Sequence, residues 1–134
     1  MNSQLSPQQA ASELLARRKA RNGLIAFSSY TNPAYIAATH HELVAAKLEA
    51  VERGEIKRLM ITMPPRHGKS ELTSRRFPAW FIGRNPGKQV IAASYNGDLA
   101  SDFGREVRNI VASPEYCALF DCTLAIDSKA ANRW

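Results

Sequence analysis

The sequence has few cysteines and no long apolar run. Its two cysteines, Cys117 and Cys122, cannot by themselves supply the four ligands of a structural zinc site, and nothing else indicates an oxidising compartment. The longest nearly apolar runs, residues 59–65 and 77–82, fall far short of the ~20 residues that span a bilayer. The opening residues, MNSQLSP, lack the charged start and apolar stretch of a secretion signal. We therefore expect a cytoplasmic protein without a membrane span.

Acidic residues are also scarce. The 134 residues include 12 Asp and Glu against 18 Lys and Arg, which gives a net charge of +6. This excess favours a polyanionic partner, such as nucleic acid or a nucleotide phosphate. The hydrophobic share of 45% and the charged share of 22% are ordinary for a globular protein, and the length fits at most one modest domain.

The N-terminal part of the sequence predicts helices. Ser6 is a typical N-cap for a helix over residues 8–21, and Gly23 is a natural stop. Residues 28–32, which are rich in Ser, Thr and Asn, predict a loop. A second helix is predicted over residues 33–54, because it opens with proline, ends with glycine and has apolar residues on one face.

The rest of the sequence predicts strands that alternate with helices. The short apolar runs at residues 57–63 and 89–95 are typical of buried strands, and a helical pattern follows each. Pro78 should kink or divide the first of these helices. Asn96 offers a cap for the second, and Ser113 and Pro114 should end it. Such alternation indicates an α/β fold with a parallel sheet. We therefore predict a helical segment over residues 1–54 and an α/β domain over residues 55–134.

The motif MPPRHGKS, at residues 63–70, lies where the first predicted strand gives way to a helix, as a phosphate-binding P-loop does. Gly68 allows a tight turn and a close backbone approach to a phosphate. Lys69 can bridge the β- and γ-phosphates, and Ser70 can offer its hydroxyl to Mg²⁺. The first glycine of the strict Walker A pattern is replaced by Met63. The residues predicted to contact the nucleotide are Pro65, Arg66, His67, Gly68, Lys69, Ser70 and Glu71.

Two features near this motif have open interpretations. Arg66 lies inside the loop, where its guanidinium can reach the γ-phosphate or pair with a nearby carboxylate. His40 and His41 are adjacent on a predicted helix and so point in two directions, which argues against a metal site. Surface or packing roles are favoured for the histidines, and contact of one with a ligand stays open.

Four stretches together resemble the large terminase subunit of tailed bacteriophages and prophages. They are MPPRHGKS at 63–70, RRFPAWFIGRNP at 75–86, AASYN at 92–96 and FGREVRNIV at 103–111. The resemblance covers about residues 52–134.

The resemblance implies an N-terminal ATPase that pumps DNA into a procapsid and a C-terminal RNase H-like nuclease. It implies a P-loop NTPase fold of the additional-strand type, with ATP and Mg²⁺ as cofactors. It also implies as partners double-stranded DNA, a small terminase subunit, a portal and a homo-oligomeric ring in the cytoplasm of a bacterial host. In such proteins the Walker A loop commonly lacks its first glycine, which matches the presence of Met63 at that position here. Arg66 matches the loop arginine of the family, and Arg105 or Arg108 is the candidate that acts on a neighbouring subunit's nucleotide.

The chain departs from this family after the second predicted strand. A Walker B run, in which apolar residues end in Asp followed by Glu, is missing from the sequence. The closest stretch, residues 124–127, is followed by Ser128. The nuclease carboxylates are missing as well. We therefore expect an N-terminal piece with only the Walker A half of an incomplete sheet. Such a chain should be marginally stable, prone to aggregation or held by a partner, and its own ATP hydrolysis should be negligible.

Two other functions stay open at this stage. A non-catalytic basic module could bind DNA or a phage partner through residues 17–21 and the helix arginines, with an affinity that falls steeply with salt. A fragment of a helicase-like ATPase would share the same strand, loop and helix.

Overall fold

The computed structural model describes residues 6–121 of the chain. Every regular element in that range is helical. The elements are α1 (Pro7–Asn22), α2 (Leu24–Thr31), α3 (Thr39–Glu52), a π-helix (Glu71–Arg76), α4 (Phe77–Arg84), α5 (Gly97–Val111) and α6 (Pro114–Leu119). None of these helices has the length and apolar character needed to cross a membrane.

The predicted α/β parallel sheet of a P-loop NTPase is wrong for this part of the chain. Residues 57–63 and 89–95 are irregular, and no strand occurs among the described residues. A buried parallel strand needs hydrogen-bonding neighbours and a helix against each face. Between residues 6 and 121 neither segment has a strand neighbour, and Met60 and Ile91 are 88% and 92% exposed. The apolar runs therefore satisfy the pattern of a strand without the partners that make one.

Helix α1 confirms the prediction for the N-terminal residues. The Ser6 side chain accepts a hydrogen bond from the Gln9 amide, and the Gln9 side chain accepts one from the Ser6 amide. This reciprocal capping satisfies two of the amides that a helix start leaves without partners. Pro7 is the first helical residue, where its missing N–H costs nothing.

Helix α2 includes residues 28–31, which were predicted to form a loop. Its polar side chains bond to the helix itself, because Ser28 Oγ donates to the Leu24 carbonyl (2.8 Å) and Thr31 Oγ1 donates to the Phe27 carbonyl (2.9 Å). Leu24 and Phe27 are fully buried. Tertiary burial therefore outweighs the loop preference of these polar residues.

The N-terminus of α2 is capped from another helix. Gly23 precedes it and has no side chain to offer, but the Glu49 carboxylate of α3 accepts a hydrogen bond from the Leu24 amide (2.7 Å). A carboxylate at this position is also favoured by the helix dipole. Helix α3 itself begins at Thr39, later than the predicted start at Pro33, and ends at Glu52 close to the predicted stop.

One hydrophobic core joins residues from the whole described range. The Phe27 and Tyr116 rings pack edge to face with their centroids 6.1 Å apart, and Trp80 packs in the same cluster. Both aromatic polar groups are satisfied, since Tyr116 Oη donates to the Ala79 carbonyl (2.9 Å) and Trp80 Nε1 donates to the Arg21 carbonyl (3.2 Å). Burial of such side chains contributes about 1.5–3 kcal/mol each. The core therefore includes residues from both sides of the predicted boundary between residues 54 and 55, and that division stays a prediction.

Pro78 divides its helix as predicted. The segment before it is the π-helix, in which the Phe77 amide donates to the Leu72 carbonyl five residues earlier, and α4 then starts at Phe77. Pro78 has no amide hydrogen to donate to the preceding turn, so a change in helical pitch fits here. The π-helix follows directly on the residues of the predicted phosphate loop.

The last two helices share a boundary that was only half predicted. Asn96 caps α5, because its side chain accepts from the Asp98 amide (2.8 Å), as the sequence indicates. Ser113 and Pro114 end α5 as expected, and they also start α6, with Ser113 Oγ accepting from the Tyr116 amide. Tyr116 and Leu119 of this short helix are buried in the core.

Candidate phosphate-binding loop

The residues predicted to bind phosphate form a tight turn that leads into a helix. Arg66 has a φ of 63° and Gly68 a φ of 78°, so two residues separated by one adopt the left-handed conformation. The chain is helical from Lys69 onward, and the Leu72 amide closes the first turn on the Gly68 carbonyl (3.1 Å). This loop thus has the sharp reversal and the helix start on which anion binding by backbone amides depends.

The loop has free donors and free cations within the described range. The amides of Gly68, Lys69 and Ser70 bond to no acceptor among residues 6–121, as is usual in the first turn of a helix. The side chains of Arg66 and Lys69 are exposed and make no ion pair there. No described carboxylate therefore takes the Arg66 guanidinium, and the loop concentrates positive charge.

Glu71 anchors the helix that follows the loop. Its carboxylate pairs with Arg76 (2.7 Å) and with Arg75 (3.4 Å). Arg76 is 8% exposed and also donates to Thr31 Oγ1 of α2 (3.0 Å). Arg75 pairs in addition with Glu106 of α5. The Glu71 side chain is thus used within the chain, which leaves its backbone amide for the predicted contact with the nucleotide.

Two residues outside the motif contact the loop. His40 and His41, at the start of α3, bring their Nε2 atoms to 3.2 Å and 2.8 Å of the His67 carbonyl oxygen. Sequence reasoning favoured surface or packing roles for these histidines. The contact joins residues 26 and 27 positions apart, and no local pattern in the sequence indicates it.

Within the loop, His67 bonds to Pro65. The His67 Nδ1 hydrogen is donated to the Pro65 carbonyl (2.8 Å), which closes the turn over Arg66. Ser70 makes no side-chain hydrogen bond within residues 6–121, so its hydroxyl is available to an outside partner. The predicted residues Pro65 to Glu71 thus span this turn and the first residues of the helix that follows it.

The two arginines considered for a role on a neighbouring subunit lie on α5. Arg105 is about half exposed and pairs with Asp102 one turn earlier (2.8 Å), and Arg108 is in the last turn of the helix. Their role on another subunit stays a prediction. The stretch at residues 124–127, the nearest to a Walker B run, lies outside the described residues.

The basic run at the end of α1 is partly used within the chain. Arg17 pairs with Glu13 (2.7 Å), and Arg21 donates to the Leu119 carbonyl (2.6 Å). Hydrogen bonds from Tyr30 and Arg17 hold the pKa of Glu13 below its usual value, so this carboxylate stays charged. Two of the four cations in residues 17–21 thus have partners of their own.

A cleft of about 640 Å³ lies between α4, α5 and residues 88–92. Its walls are mostly apolar, with Pro78, Ile82, Phe103 and Val107 among them. It does not include the residues of the phosphate loop, and no group of acidic, histidine or cysteine side chains suited to a metal ion occurs within residues 6–121.

Comparison with known proteins identifies the family. The family model described as "Terminase large subunit, T4likevirus-type, N-terminal" matches residues 60–127. No curated protein and no solved structure is significantly similar to the chain. The match covers just over half of the chain, includes the loop and confirms the resemblance inferred from the four motif stretches. The chain therefore belongs to the terminase large-subunit family, in its T4likevirus-type N-terminal part.

Proposed function

We propose that the loop at residues 64–71 binds the phosphates of ATP together with Mg²⁺. The observation that carries this proposal is that Arg66 and Gly68, both left-handed, lie directly before the helix start at Lys69. The side chains of Arg66 and Lys69 make no ion pair in the described range. Anions are stabilised where several backbone N–H groups converge at a helix start and where cations are close by.

Each loop residue has a role that fits the chemistry. The amides of residues 67–71 would hold phosphate oxygens, and Lys69 would neutralise the β- and γ-phosphates. The Ser70 hydroxyl, which has no described partner, suits Mg²⁺, a hard cation that prefers oxygen ligands. The Arg66 guanidinium would stabilise charge at the γ-phosphate. Bound ATP would supply the phosphoryl group whose transfer to water drives the motor.

Membership of the terminase family supports a role in DNA packaging. We infer that the chain forms part of the nucleotide-binding region of an ATP-driven packaging motor. Its partners would be double-stranded DNA, a small terminase subunit, a portal and further copies in a ring. The net charge of +6 is compatible with a polyanionic partner. Hydrolysis would need a carboxylate that positions the attacking water.

The test is substitution of Lys69. Isothermal titration calorimetry with MgATP should show saturable binding to the 134-residue chain and at least a tenfold loss of affinity in Lys69→Ala, since hydrogen bonds to charged groups contribute about 1.5–3 kcal/mol. Lys47→Ala is the matched control, because Lys47 is an exposed lysine on α3 away from the loop motif. Equal MgATP affinity in Lys69→Ala and Lys47→Ala would contradict the proposal.

A further inference from the structure

The carbonyl oxygen of His67 is held by two imidazole rings. His41 Nε2 lies 2.8 Å from it and His40 Nε2 lies 3.2 Å from it. The two rings also lie against each other, with centroids 4.0 Å apart. A carbonyl oxygen has two lone pairs and can accept from both donors. The start of α3 is thus clamped onto one peptide group of the phosphate loop.

The hydrogen bonds of His41 fix its tautomer. The Ala38 amide donates to His41 Nδ1 (3.0 Å), so that nitrogen carries a lone pair and no proton. In a neutral ring the proton must then be on Nε2. His41 is therefore set up as a donor to the His67 carbonyl by the same contact that caps the start of α3.

The held carbonyl determines where the next amide points. The described chain has no cis peptide bond, and in a planar trans peptide the C=O and the N–H point in opposite directions. With the His67 oxygen directed at α3, the Gly68 N–H is directed away from α3. If this peptide turned over, an oxygen would take the place of the amide and would repel a phosphate.

Gly68 also packs directly against the His41 ring. A Cβ atom at residue 68 would lie 2.5 Å from His41 Nε2. The loop and the imidazole therefore touch directly, and any side chain at residue 68 would push the donor away from the His67 carbonyl.

We propose that His41, assisted by His40, is a positioning residue for the phosphate loop. It holds the peptide between His67 and Gly68 in the orientation that presents the Gly68 amide to a nucleotide phosphate. This inference rests on the proposed nucleotide binding. It assigns to α3 a part in the site that the loop motif does not include.

The test compares two amide substitutions at residue 41. In His41→Asn the side-chain oxygen can still accept from the Ala38 amide, but the shorter side chain no longer donates to the His67 carbonyl, which keeps only the longer contact from His40. In His41→Gln the side-chain amide can reach the position of Nε2 and donate. MgATP affinity should fall about tenfold in His41→Asn and stay within about threefold of wild type in His41→Gln. Glu42→Gln, an exposed change on the same turn of α3, should leave the affinity unchanged.

A second readout separates positioning from general stability. In ¹⁵N spectra of the free protein, His41 should show a proton on Nε2 and none on Nδ1. On addition of MgATP, the Gly68 amide signal should shift in wild type and in His41→Gln, and should respond much less in His41→Asn. A proton on His41 Nδ1, an equal Gly68 response in His41→Asn, or equal losses of affinity in the Asn and Gln variants would overturn the positioning role.

The Lys69→Ala variant distinguishes the two proposals. If MgATP binding is lost in Lys69→Ala but kept in His41→Asn, the loop binds nucleotide and only the role of His41 is wrong. If the wild-type chain and Lys69→Ala behave alike, the nucleotide site itself is wrong and the positioning role falls with it.

Discussion

The glycine at the centre of the loop allows a prediction with built-in controls. Gly68 has a φ of +78°, and a Cβ there would also lie 2.5 Å from His41. Gly54 has the same φ but nothing within 4 Å of the added Cβ. Gly87 has open space around it and no positive φ. Alanine at these three positions therefore separates backbone strain from the close contact with His41.

The expected losses follow from these differences. Gly54→Ala should lower the free energy of unfolding by about 1 kcal/mol, the cost of a left-handed non-glycine residue. Gly87→Ala should be neutral or should stabilise by up to about 1 kcal/mol, because it restricts the unfolded chain. Gly68→Ala should lose about 2–3 kcal/mol, since it adds to the backbone strain the loss of the His41 hydrogen bond and the displacement of the ring.

Urea unfolding followed by circular dichroism measures all three variants. A thermodynamic cycle with His41→Ala should recover about 1 kcal/mol of the Gly68→Ala loss, because the small side chain at 41 makes room for the new methyl group. Gly68→Ala as stable as Gly54→Ala, with no coupling to residue 41, would refute the contact between α3 and the loop.

Two further predictions concern charged residues. Burial raises the pKa of Glu52, but hydrogen bonds from Asn85 and Arg84, together with the charge of Arg84, lower it by a larger amount. The pKa of Glu52 therefore lies below its usual value. This stabilisation is complete above the unfolded pKa of about 4.3 and is lost as the pH falls through the lower folded pKa. Glu52→Gln should therefore lower the free energy of unfolding at pH 7 by about 1–3 kcal/mol. In urea melts, the variant's stability should fall less steeply than that of wild type between about pH 5 and 3, and an unchanged slope would contradict this. Arg66→Gly should raise the free energy of unfolding by about 1 kcal/mol by relieving the left-handed φ, while calorimetry should show weaker MgATP binding; unchanged affinity would remove Arg66 from the site.

Local signals in the sequence were enough to locate several helix ends. The Ser6 cap with Gln9 three residues on, the Asn96 cap of α5 and the break at Pro78 all depend on neighbours within a few residues. Such interactions are readable from sequence because both partners lie in one short window. The loop position also followed from a local motif, Gly68-Lys69-Ser70 before a helix.

The features that the sequence did not predict depend on distant partners. Residues 28–31 were predicted as a loop because they are mostly polar, but they end helix α2. That helix depends on the burial of Leu24 and Phe27 and on a cap from Glu49 of another helix. The two predicted strands had the right apolar pattern, but a strand exists only with neighbours that the pattern cannot supply. The clamp of His41 on the His67 carbonyl spans 26 residues and has no periodic signal.

The most direct test of the account is a titration of the ¹⁵N-labelled chain with MgATP, followed by NMR. The account predicts that the amides of Gly68, Lys69 and Ser70 shift together along one binding curve, and that this curve disappears in Lys69→Ala. Shifts confined to other parts of the chain, or a loop whose amides ignore saturating MgATP, would contradict the claim that these residues hold nucleotide phosphates.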